Sequence, residues 1–430
     1  MNIESLYAIF LDHPVITTDS RNIPVNSIFF ALKGETFNGN TFAGEALVKG
    51  AAFAVIDEPE FALNDRFIVV DNVLLCLQQM ARYHRDQLGL PVIAITGTNG
   101  KTTTKELVAA VLSKKFKVNF TQGNLNNHIG VPLTLLSMTK ETEIGVVEMG
   151  ANHPGEINAL CQIANPDFGM ITNIGKAHLE GFGSFEGVIR TKSELYHFLK
   201  GKKAKCFINA DNALLVEQAK GIEKVTYGNS TDYYLAGELA STESYLVVKA
   251  LFASGWLYLK SKLVGDYNFE NLLAAACVGK YFEVDPLKIQ AALANYNPSN
   301  NRSQLINTDK NTIIMDAYNA NPTSMMAALV NFATIKKDQK CLILGDMLEL
   351  GEASEAEHQN IVDYIENQNF TDVFLVGPLF KDTKDRTEKK KFEQVELLSN
   401  YLQTQPIENK FILIKGSRGI HLEKILDLLT

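Results

Sequence analysis

The sequence predicts an α/β protein of three domains: a small N-terminal α/β domain, a central parallel-sheet domain with added antiparallel strands, and a C-terminal Rossmann-like domain. The chain has 430 residues, enough for two to four domains of roughly 100 to 200 residues each. Short apolar runs alternate with stretches of helical periodicity. The Pro- and Asn-rich segment Asn295 to Ser303 has no apolar periodicity and predicts a hinge.

Composition indicates an ordinary globular chain. The net charge of −8 gives no broad attraction to nucleic acid or to an anionic membrane. The N-terminus lacks the features of a signal peptide, and no apolar run approaches the ~18 residues of a membrane span. Five widely spaced cysteines favour reduced core thiols over disulfides or a zinc site. We therefore expect a cytoplasmic monomer that neither binds nucleic acid nor inserts into a membrane.

Residues 1–88 form the predicted N-terminal domain. Its apolar runs at 27–32, 52–56 and 67–70 predict strands, and Val73 to Leu88 predicts a helix. The segments TTDSR and ALKGETFNGNTF concentrate turn residues around Arg21 and Lys33. That composition suits a phosphorylated ligand, although each segment taken alone is more often a solvated loop.

The segment PVIAITGTNGKTTT (Pro91 to Thr104) begins the predicted central domain, residues 89–297. An apolar run turns through Gly97 and Gly100 into a helix-forming run. Glycines let backbone N–H groups surround an oxyanion, Lys101 can reach the β- and γ-phosphates, and the Thr102 hydroxyl can bind Mg²⁺. Compared with the usual phosphate-loop pattern the loop is shortened, since Ile95 stands where the first glycine would be. The pattern predicts a P-loop ATPase domain.

The rest of the central domain alternates strands and helices. The strands are predicted at 93–96, 144–149, 168–174 and 205–210, followed by short antiparallel strands within 224–264 and a helix from Asn268 to Tyr281. Ligands of parallel sheets bind beyond the carboxyl ends of the strands. Glu148 and the polar segment Thr172 to Ser184 fall at such ends.

Residues 298–430 form the predicted C-terminal domain. Strands at 312–315, 341–344, 373–376 and 411–414 alternate with helices, as in a second doubly wound sheet. The basic run Lys389 to Lys391 is interpreted as a solvated face.

Three residues beyond the loop are candidates for metal-assisted phosphoryl transfer: Glu148 at a strand end, His178 in a glycine-rich segment and Lys192 in IRTKSEL. A lone Glu or His at such a position is more often structural or merely exposed. Phosphoryl transfer, however, needs cations that neutralise charge on the γ-phosphoryl oxygens, and a carboxylate and an imidazole can hold them.

The motifs GTNGKTT, EMGANHPGEI, TNIGKAHLEGFGS, GDYNFENLLAAAC and DAYNANPTSM occur in this order over essentially the whole chain. Together they resemble the Mur ligase family. The segments TDSR with LKG, QGNLNNHIGVPLTLL, GDMLELG and KGSRG resemble the members that add a dipeptide. The members that add the third amino acid typically carry a DNPR segment, which is absent here, and folylpolyglutamate synthetases lack the GNLNN and DAYNANP segments.

The resemblance implies an ATP-dependent ligase of cytoplasmic peptidoglycan precursor synthesis that joins D-alanyl-D-alanine to a UDP-N-acetylmuramoyl tripeptide through an acyl phosphate. It implies two Mg²⁺ ions held by Thr102, Glu148, His178 and Lys192, the last as a carbamate (N6-carboxylysine). The implied catalytic residues are Lys101, Glu148, His178 and Lys192. The implied ATP site comprises Thr98, Asn99, Gly100, Lys101, Thr102, Thr103, Asn268, Arg302, Asp316 and Asn319.

For the other two substrates, the resemblance implies Ser20, Arg21 and Lys33 at the uridine diphosphate, Asn126 and Asn127 along the muramoyl peptide, and Asp346, Ser417 and Arg418 near the acceptor dipeptide. Two alternatives stay open at this point. One is the ligase of the same family that adds the third residue, and the other is an ATP-dependent binding or switch protein.

Overall fold

A computed structural model describes residues 2–243, 245–298, 301–368, 370, 372–386 and 389–430. Its helices are α1 Ile3–Asp12, α2 Ala43–Val48, α3 Val73–Leu88, α4 Lys101–Leu112, α5 Gly130–Leu136, α6 Glu156–Ala164, α7 Leu179–Phe182, α8 Phe185–Lys202, α9 Ala213–Gln218, α10 Phe269–Tyr281, α11 Pro286–Asn295, α12 Pro322–Thr334, α13 Ser354–Glu366, α14 Pro378–Lys381, α15 Val395–Thr404 and α16 Leu426–Leu429.

Its strands are β1 Ile16–Thr17, β2 Ile28–Phe30, β3 Phe53–Ile56, β4 Phe67–Val69, β5 Val92–Thr96, β6 Val118–Phe120, β7 Ile144–Glu148, β8 Phe168–Ile171, β9 Lys205–Asn209, β10 Glu223–Gly228, β11 Leu235–Ser241, β12 Val247–Phe252, β13 Gly255–Lys260, β14 Gln304–Asn307, β15 Thr312–Asp316, β16 Lys340–Gly345, β17 Asp372–Val376, β18 Lys390–Phe392 and β19 Phe411–Lys415.

Within the described residues these strands form three sheets. The first has the order β1-β2-β3-β4, the second β13-β12-β11-β10-β9-β8-β5-β7-β6, and the third β14-β15-β19-β16-β17-β18. The first is parallel throughout. In the second, antiparallel pairing is confined to β11, β12 and β13. In the third, β14 alone runs antiparallel to its neighbour.

The predicted fold class is confirmed, with one difference of detail. Residues 224–264 were expected to be antiparallel, but β10 pairs in parallel with both β9 and β11. The basic run Lys389 to Lys391, interpreted as a solvated face, lies largely in β18, the edge strand of the third sheet within the described residues, and Lys390 is exposed there. Of the predicted hinge, Ser299 and Asn300 lie outside the described residues. The domain boundaries at 88/89 and 297/298 stay a prediction.

Helices cover both faces of the larger sheets. Their strands carry apolar side chains on both faces, and both faces must therefore be shielded from water. One face of the central sheet packs on α4 and α10. The other packs on α3, α6 and α8, and this core continues into the N-terminal sheet. The five cysteines are free and buried, as predicted. Among the described residues, none of the helices combines the length and hydrophobicity that a membrane span requires.

The order of the central sheet determines where a ligand can lie. The chain passes from β5 to β7 on one side and then crosses to β8 on the other side of β5. Such a reversal opens a crevice at the carboxyl end of the strand between them. The glycine loop that follows β5 therefore begins inside this crevice.

A cluster of three charged side chains, of which Arg85 is buried, connects α3 to the central sheet. The Asp167 carboxylate lies 2.5 Å from Arg85 Nη2 and 2.8 Å from Lys202 Nζ, and it accepts the Val92 backbone N–H at 3.0 Å. Arg85 is 5% exposed. Removing the carboxylate would leave a desolvated guanidinium without its counter-charge.

We expect Asp167→Ala to lower the free energy of unfolding by about 2 kcal/mol or more, measured by circular dichroism in urea. The control is Asp86→Ala, which breaks the more exposed Arg82–Asp86 pair on the same helix and should cost less than about 1 kcal/mol. Equal losses in the two variants would contradict a structural role for this cluster.

Candidate functional site

The loop between β5 and α4 has the geometry of a phosphate cradle. Gly97 and Gly100 have φ values of 143° and 78°, which L side chains rarely adopt. A Cβ on Gly97 would lie 2.0 Å from Thr172 Oγ1, and one on Gly100 would lie 2.5 Å from Asn271 Oδ1. The chain thus turns tightly and presents the N-terminus of α4, with its positive dipole end, to the crevice.

The segment after β8 braces this loop. Asn173 accepts the Asn99 backbone N–H on Oδ1 at 3.0 Å and donates from Nδ2 to the Asn99 carbonyl at 3.1 Å. Thr172 Oγ1 donates to the same carbonyl at 2.6 Å. The Gly175 N–H donates to Thr98 Oγ1 at 2.9 Å. The loop conformation is therefore held by side chains from a neighbouring strand end.

Lys101 folds back over the loop. Its Nζ donates to the carbonyls of Gly97 and Thr98 at 2.8 and 3.0 Å. Burial lowers the pKa of this ammonium from its ordinary value, the charge of Glu148 raises it, and the charge of Arg302 lowers it. The Lys101 ammonium therefore has two carbonyl acceptors and no carboxylate at hydrogen-bond distance among the described residues.

Glu148 ends strand β7 and is 1% exposed. Its Oε1 accepts from Asn126 Nδ2 at 2.8 Å, and its Oε2 lies 3.9 Å from the buried Lys105 Nζ. Among the described residues, none hydrogen-bonds Oε2. A buried carboxylate oxygen without a donor is costly unless something else binds it. This oxygen therefore fits a hard cation such as Mg²⁺.

His178 contacts the C-terminal half of the chain. Its Nδ1 lies 2.5 Å from Glu349 Oε2, and the Glu180 N–H donates to the Glu349 carbonyl at 3.4 Å. The adjacent His178 holds the pKa of Glu349 below its ordinary value, although burial raises it. Beside it, Lys176 Nζ lies 2.7 Å from Glu357.

Lys192 lies within α8 and is 2% exposed. Its Nζ donates to the Ala151 carbonyl at 3.3 Å and lies 5.3 Å from the centre of the Phe182 ring. Burial holds the pKa of this ammonium well below its ordinary value; Lys101 lowers it further, while Glu156 and Glu194 raise it. The side chain is thus placed where an uncharged amine is favoured.

The C-terminal part of the chain contributes two arginines and a tyrosine ring to the site. Arg302 stacks on Tyr318, with its guanidinium carbon 3.6 Å from the ring centre, and the guanidinium carbon of Arg418 lies 5.7 Å from the same centre. Asp316 is paired with the buried Lys415 at 2.6 Å and accepts the Ser303 N–H at 3.1 Å. In the described part of the chain, Arg302 Nε finds no acceptor.

Of these groups, the glycine loop, Glu148, His178, Glu349, Arg302, Asp316, Tyr318, Lys415 and Arg418 face one cleft of about 920 Å³. Of the sequence-predicted site residues, those that line it are Thr98, Asn99, Gly100, Lys101, Thr102, Thr103, Asn126, Asn127, Glu148, His178, Asn268, Arg302, Asp316, Asn319, Ser417 and Arg418. Asn99 also meets Asn321 at the start of α12, whose Nδ2 donates to Asn99 Oδ1 at 2.8 Å. The cleft therefore lies between the central and C-terminal sheets.

Several polar side chains that line the cleft already have hydrogen-bond partners within the chain. Asn268 Nδ2 donates to the Val264 carbonyl at 2.8 Å, and its Oδ1 accepts from Asn271. Asn127 Oδ1 accepts the Gly130 N–H at the start of α5. Ser417 Oγ accepts the Leu348 N–H at 2.9 Å. These side chains shape the cleft wall as well as lining it.

Five of the predicted residues do not line the cleft: Ser20, Arg21, Lys33, Asp346 and Lys192. Ser20 and Arg21 lie in a surface loop of the N-terminal part, where Arg21 is 88% exposed and pairs with Asp19. Lys33 pairs with Asp57 and Glu58 at 2.9 and 2.8 Å. Asp346 is fully buried, and its carboxylate accepts the N–H groups of Leu379 and Phe380 at the start of α14.

Asp346 therefore holds the start of a helix, as carboxylates at helix N-termini commonly do, and does not line the cleft. Lys192 does not line it either. Within the described residues, His, Cys, Asp and Glu side chains form no cluster of three or more that could hold a metal. A Mg²⁺ here would take its remaining ligands from phosphates and water, as this ion commonly does.

Sequence reasoning missed Asn173, Tyr318, Asn321, Glu349 and Lys415. All five fall inside or beside motifs that were singled out, and Lys415 ends strand β19. The rule that ligands bind beyond strand ends would have indicated Lys415 and Asn173. Glu349 carried no such signal, because its importance depends on His178, which is 171 positions earlier in the numbering.

Comparison with known proteins agrees with this geometry. Residues 95–279 match the Mur ligase middle domain, and residues 301–418 match the Mur ligase glutamate ligase domain. The UDP-N-acetylmuramoyl-tripeptide–D-alanyl-D-alanine ligase of Bacillus subtilis is 36% identical over 96% of this chain and 92% of its own length. The ligase of the same name from Haemophilus influenzae is 33% identical over 96% and 92%.

Solved structures give the same result. A crystal structure of MurF from Acinetobacter baumannii superposes with a TM-score of 0.85 at 31% identity, covering 96% of this chain and 92% of that one. The MurF ligase from Thermotoga maritima in complex with ADP gives a TM-score of 0.85 at 27% identity, covering 97% of each. With a phosphate loop, Glu148 and His178 facing one cleft between the two matched regions, the chain belongs to the Mur ligase family.

Proposed function

We propose that this protein is an ATP-dependent ligase that joins D-alanyl-D-alanine to the terminal carboxylate of a UDP-N-acetylmuramoyl tripeptide. The relatives described above carry this activity in their names over nearly the whole chain. The observation that carries the proposal is the shared cleft, in which the phosphate loop of the central part faces Arg302 and Arg418 of the C-terminal part. Such a cleft can hold a nucleotide and an anionic acceptor side by side.

In the first step, a carboxylate oxygen of the tripeptide attacks the γ-phosphorus of ATP. The bond between that phosphorus and the β–γ bridging oxygen breaks, giving an acyl phosphate and ADP. Lys101 turns from the two loop carbonyls to the phosphates and offsets their charge. The backbone N–H groups of the loop and Arg302, whose Nε is buried without an acceptor among the described residues, hold the same oxygens.

In the second step, the dipeptide amine attacks the acyl carbon after losing a proton. The bond from that carbon to the phosphate oxygen breaks, and inorganic phosphate leaves. The step needs no protein nucleophile, so the chain contributes chiefly by positioning. Arg418, exposed on the cleft wall, is placed to pair with the dipeptide carboxylate.

We propose that two Mg²⁺ ions bind in this site. Thr102 and Glu148 would hold the first, since Glu148 has a buried oxygen that no described residue satisfies. His178 and a carbamate on Lys192 would hold the second. Bound there, the ions would neutralise charge on the phosphoryl oxygens. The carbamate forms when the neutral amine of Lys192 adds to CO₂ and releases a proton, which the depressed pKa of this lysine favours.

The N-terminal part would bind the uridine diphosphate end. This assignment depends on Ser20, Arg21 and Lys33, none of which lines the cleft. Lys33 would have to exchange a carboxylate partner for phosphate. We propose residues 1–88, 89–297 and 298–430 as the UDP-substrate, ATP-binding and C-terminal domains. We also propose that the protein is a cytoplasmic monomer.

The ligase assignment predicts that phosphate release from ATP requires both other substrates. With UDP-tripeptide or D-alanyl-D-alanine alone, release should be at least about 100-fold slower than with both, because attack and transfer need all three groups in place. A coupled phosphate assay with each substrate omitted in turn measures this. Full ATP hydrolysis without either substrate would identify a nucleotide-dependent switch protein instead.

Acceptor choice provides a second test. D-alanyl-D-alanine should be used at least about 100-fold better, in kcat/KM, than a single amino acid, because the shorter acceptor leaves Arg418 without the carboxylate of the dipeptide. Arg418→Met should raise the KM for the dipeptide about 10-fold with little change in the KM for ATP. Transfer of lysine or diaminopimelate to a UDP-muramoyl dipeptide would favour the ligase that adds the third residue.

The carbamate at Lys192 provides a third test. Lys192→Ala should lose at least about 10-fold in ligase activity, the usual cost of removing a group that supports a metal site, and acetate should partly restore it by occupying the vacated position. The control is Lys200→Ala, which removes an exposed lysine of the same helix and should behave as wild type. Full activity of Lys192→Ala without acetate would contradict the carbamate.

A further inference from the structure

Asn126 joins the segment that precedes α5 to the buried carboxylate at the end of strand β7. Its Nδ2 donates to Glu148 Oε1 at 2.8 Å. An ionised carboxylate accepts hydrogen bonds and donates none, so the amide nitrogen of Asn126 must be the atom that faces it. The family resemblance implies a contact between Asn126 and the muramoyl peptide, whereas the structure pairs this side chain with a residue of the phosphate site.

Backbone contacts hold Asn126 in place without help from its amide group. The Asn126 carbonyl accepts the Gly150 N–H at 2.7 Å, and the Asn126 N–H donates to the Asn124 carbonyl at 2.8 Å. A Cβ on Gly150 would lie 2.9 Å from Asn126 Cγ, so the amide packs closely on a residue without a side chain. The main chain on both sides of the Asn126–Glu148 hydrogen bond is therefore connected independently of that bond.

The Glu148 carboxylate has few other constraints. Strand pairing with β5 and the hydrogen bond from its N–H to Thr121 Oγ1 at 2.9 Å fix its backbone, but not its side-chain torsions. Lys105 Nζ donates to the Thr121 carbonyl at 2.7 Å and lies 3.9 Å from Glu148 Oε2, beyond hydrogen-bond range. In the described part of the chain, Asn126 is therefore the one residue whose side chain hydrogen-bonds this carboxylate.

We propose that Asn126 is a positioning residue, which holds Glu148 Oε1 so that Oε2 is presented to a Mg²⁺ ion bound with the nucleotide phosphates. A carboxylate that is already oriented loses less conformational freedom when it binds an ion. The inference rests on the proposed function for the nucleotide and the ion. It deepens that function by naming a residue that supports the ion without binding it.

Two variants remove the amide donor in different ways. Asn126→Ala leaves a space that water can enter, whereas Asn126→Leu keeps the number of side-chain heavy atoms. An effect that both variants share belongs to the lost hydrogen bond. The matched control is Asn119→Ala, which removes an amide that donates to the Ser137 carbonyl at 3.1 Å and does not line the cleft. Glu148→Gln is the reference for loss of the carboxylate itself.

The first measurement is the affinity for ADP by isothermal titration calorimetry, once in EDTA and once in excess Mg²⁺. The ratio of the two dissociation constants is the Mg²⁺-dependent gain, and the part of it that Glu148→Gln abolishes reports the ion at Glu148. We expect both Asn126 variants to lower the gain about 10-fold, or to the Glu148→Gln level if that is reached first. Affinity in EDTA should be unchanged, and Asn119→Ala should match wild type. An undiminished gain in both Asn126 variants, or in Glu148→Gln, would overturn the proposal.

The second measurement compares kinetics and melting temperatures. Asn126→Ala should lower kcat about 10-fold or more, the usual cost of losing a hydrogen bond to a metal ligand. The KM for UDP-tripeptide should stay within about 3-fold of wild type, since ground-state binding of this substrate is not affected, and the melting temperature should equal that of Asn119→Ala. A raised UDP-tripeptide KM with an undiminished Mg²⁺-dependent gain would assign Asn126 to the peptide and overturn the proposal. A wild-type protein without ligase activity would refute the proposed function, while the ADP titration would still test Asn126.

Discussion

The hydrogen bonds that hold the glycine loop open are the constraint on which the site depends. Backbone N–H groups can bind phosphate oxygens only if the loop keeps its conformation. At Gly97 and Gly100 that conformation would strain any residue other than glycine. Thr172, Asn173 and Gly175 keep it there by bonding to Thr98 and Asn99. Because these residues follow β8, the loop is formed only when β8 lies beside β5.

Buried charge is the second feature of the cleft. Glu148 lies near Lys105 and Asp316 is paired with Lys415, while Lys192, outside the cleft lining, is buried with a backbone carbonyl as its acceptor. Desolvated charges are costly without partners, so each is either compensated within the chain or, like Glu148 Oε2, ready for a cation. A site with compensated walls and one open carboxylate oxygen can receive a polyphosphate with its ions when Lys101 turns from the loop carbonyls to the phosphates.

Much of the fold and part of the site could be predicted because their signals are local. Helix α3 has the predicted bounds, and the main strands of all three sheets were found at or within a few residues of their predicted positions. Parallel pairing of β10 could not be predicted, since the partner strand decides direction. Asp346 illustrates the limit for single residues: a carboxylate after a buried strand end suggests a site, yet this one holds the start of α14.

The sequence by itself determined the α/β class, the phosphate loop and the strand-end positions of Glu148 and Asp316, because apolar periodicity and glycine spacing act through the backbone within a few residues. Only the tertiary structure decided that Arg302 stacks on Tyr318, that Lys33 is neutralised by Asp57 and Glu58, and that Glu349 meets His178. These contacts join residues far apart in the chain. Their existence depends on how two sheets face one another, which no local pattern encodes.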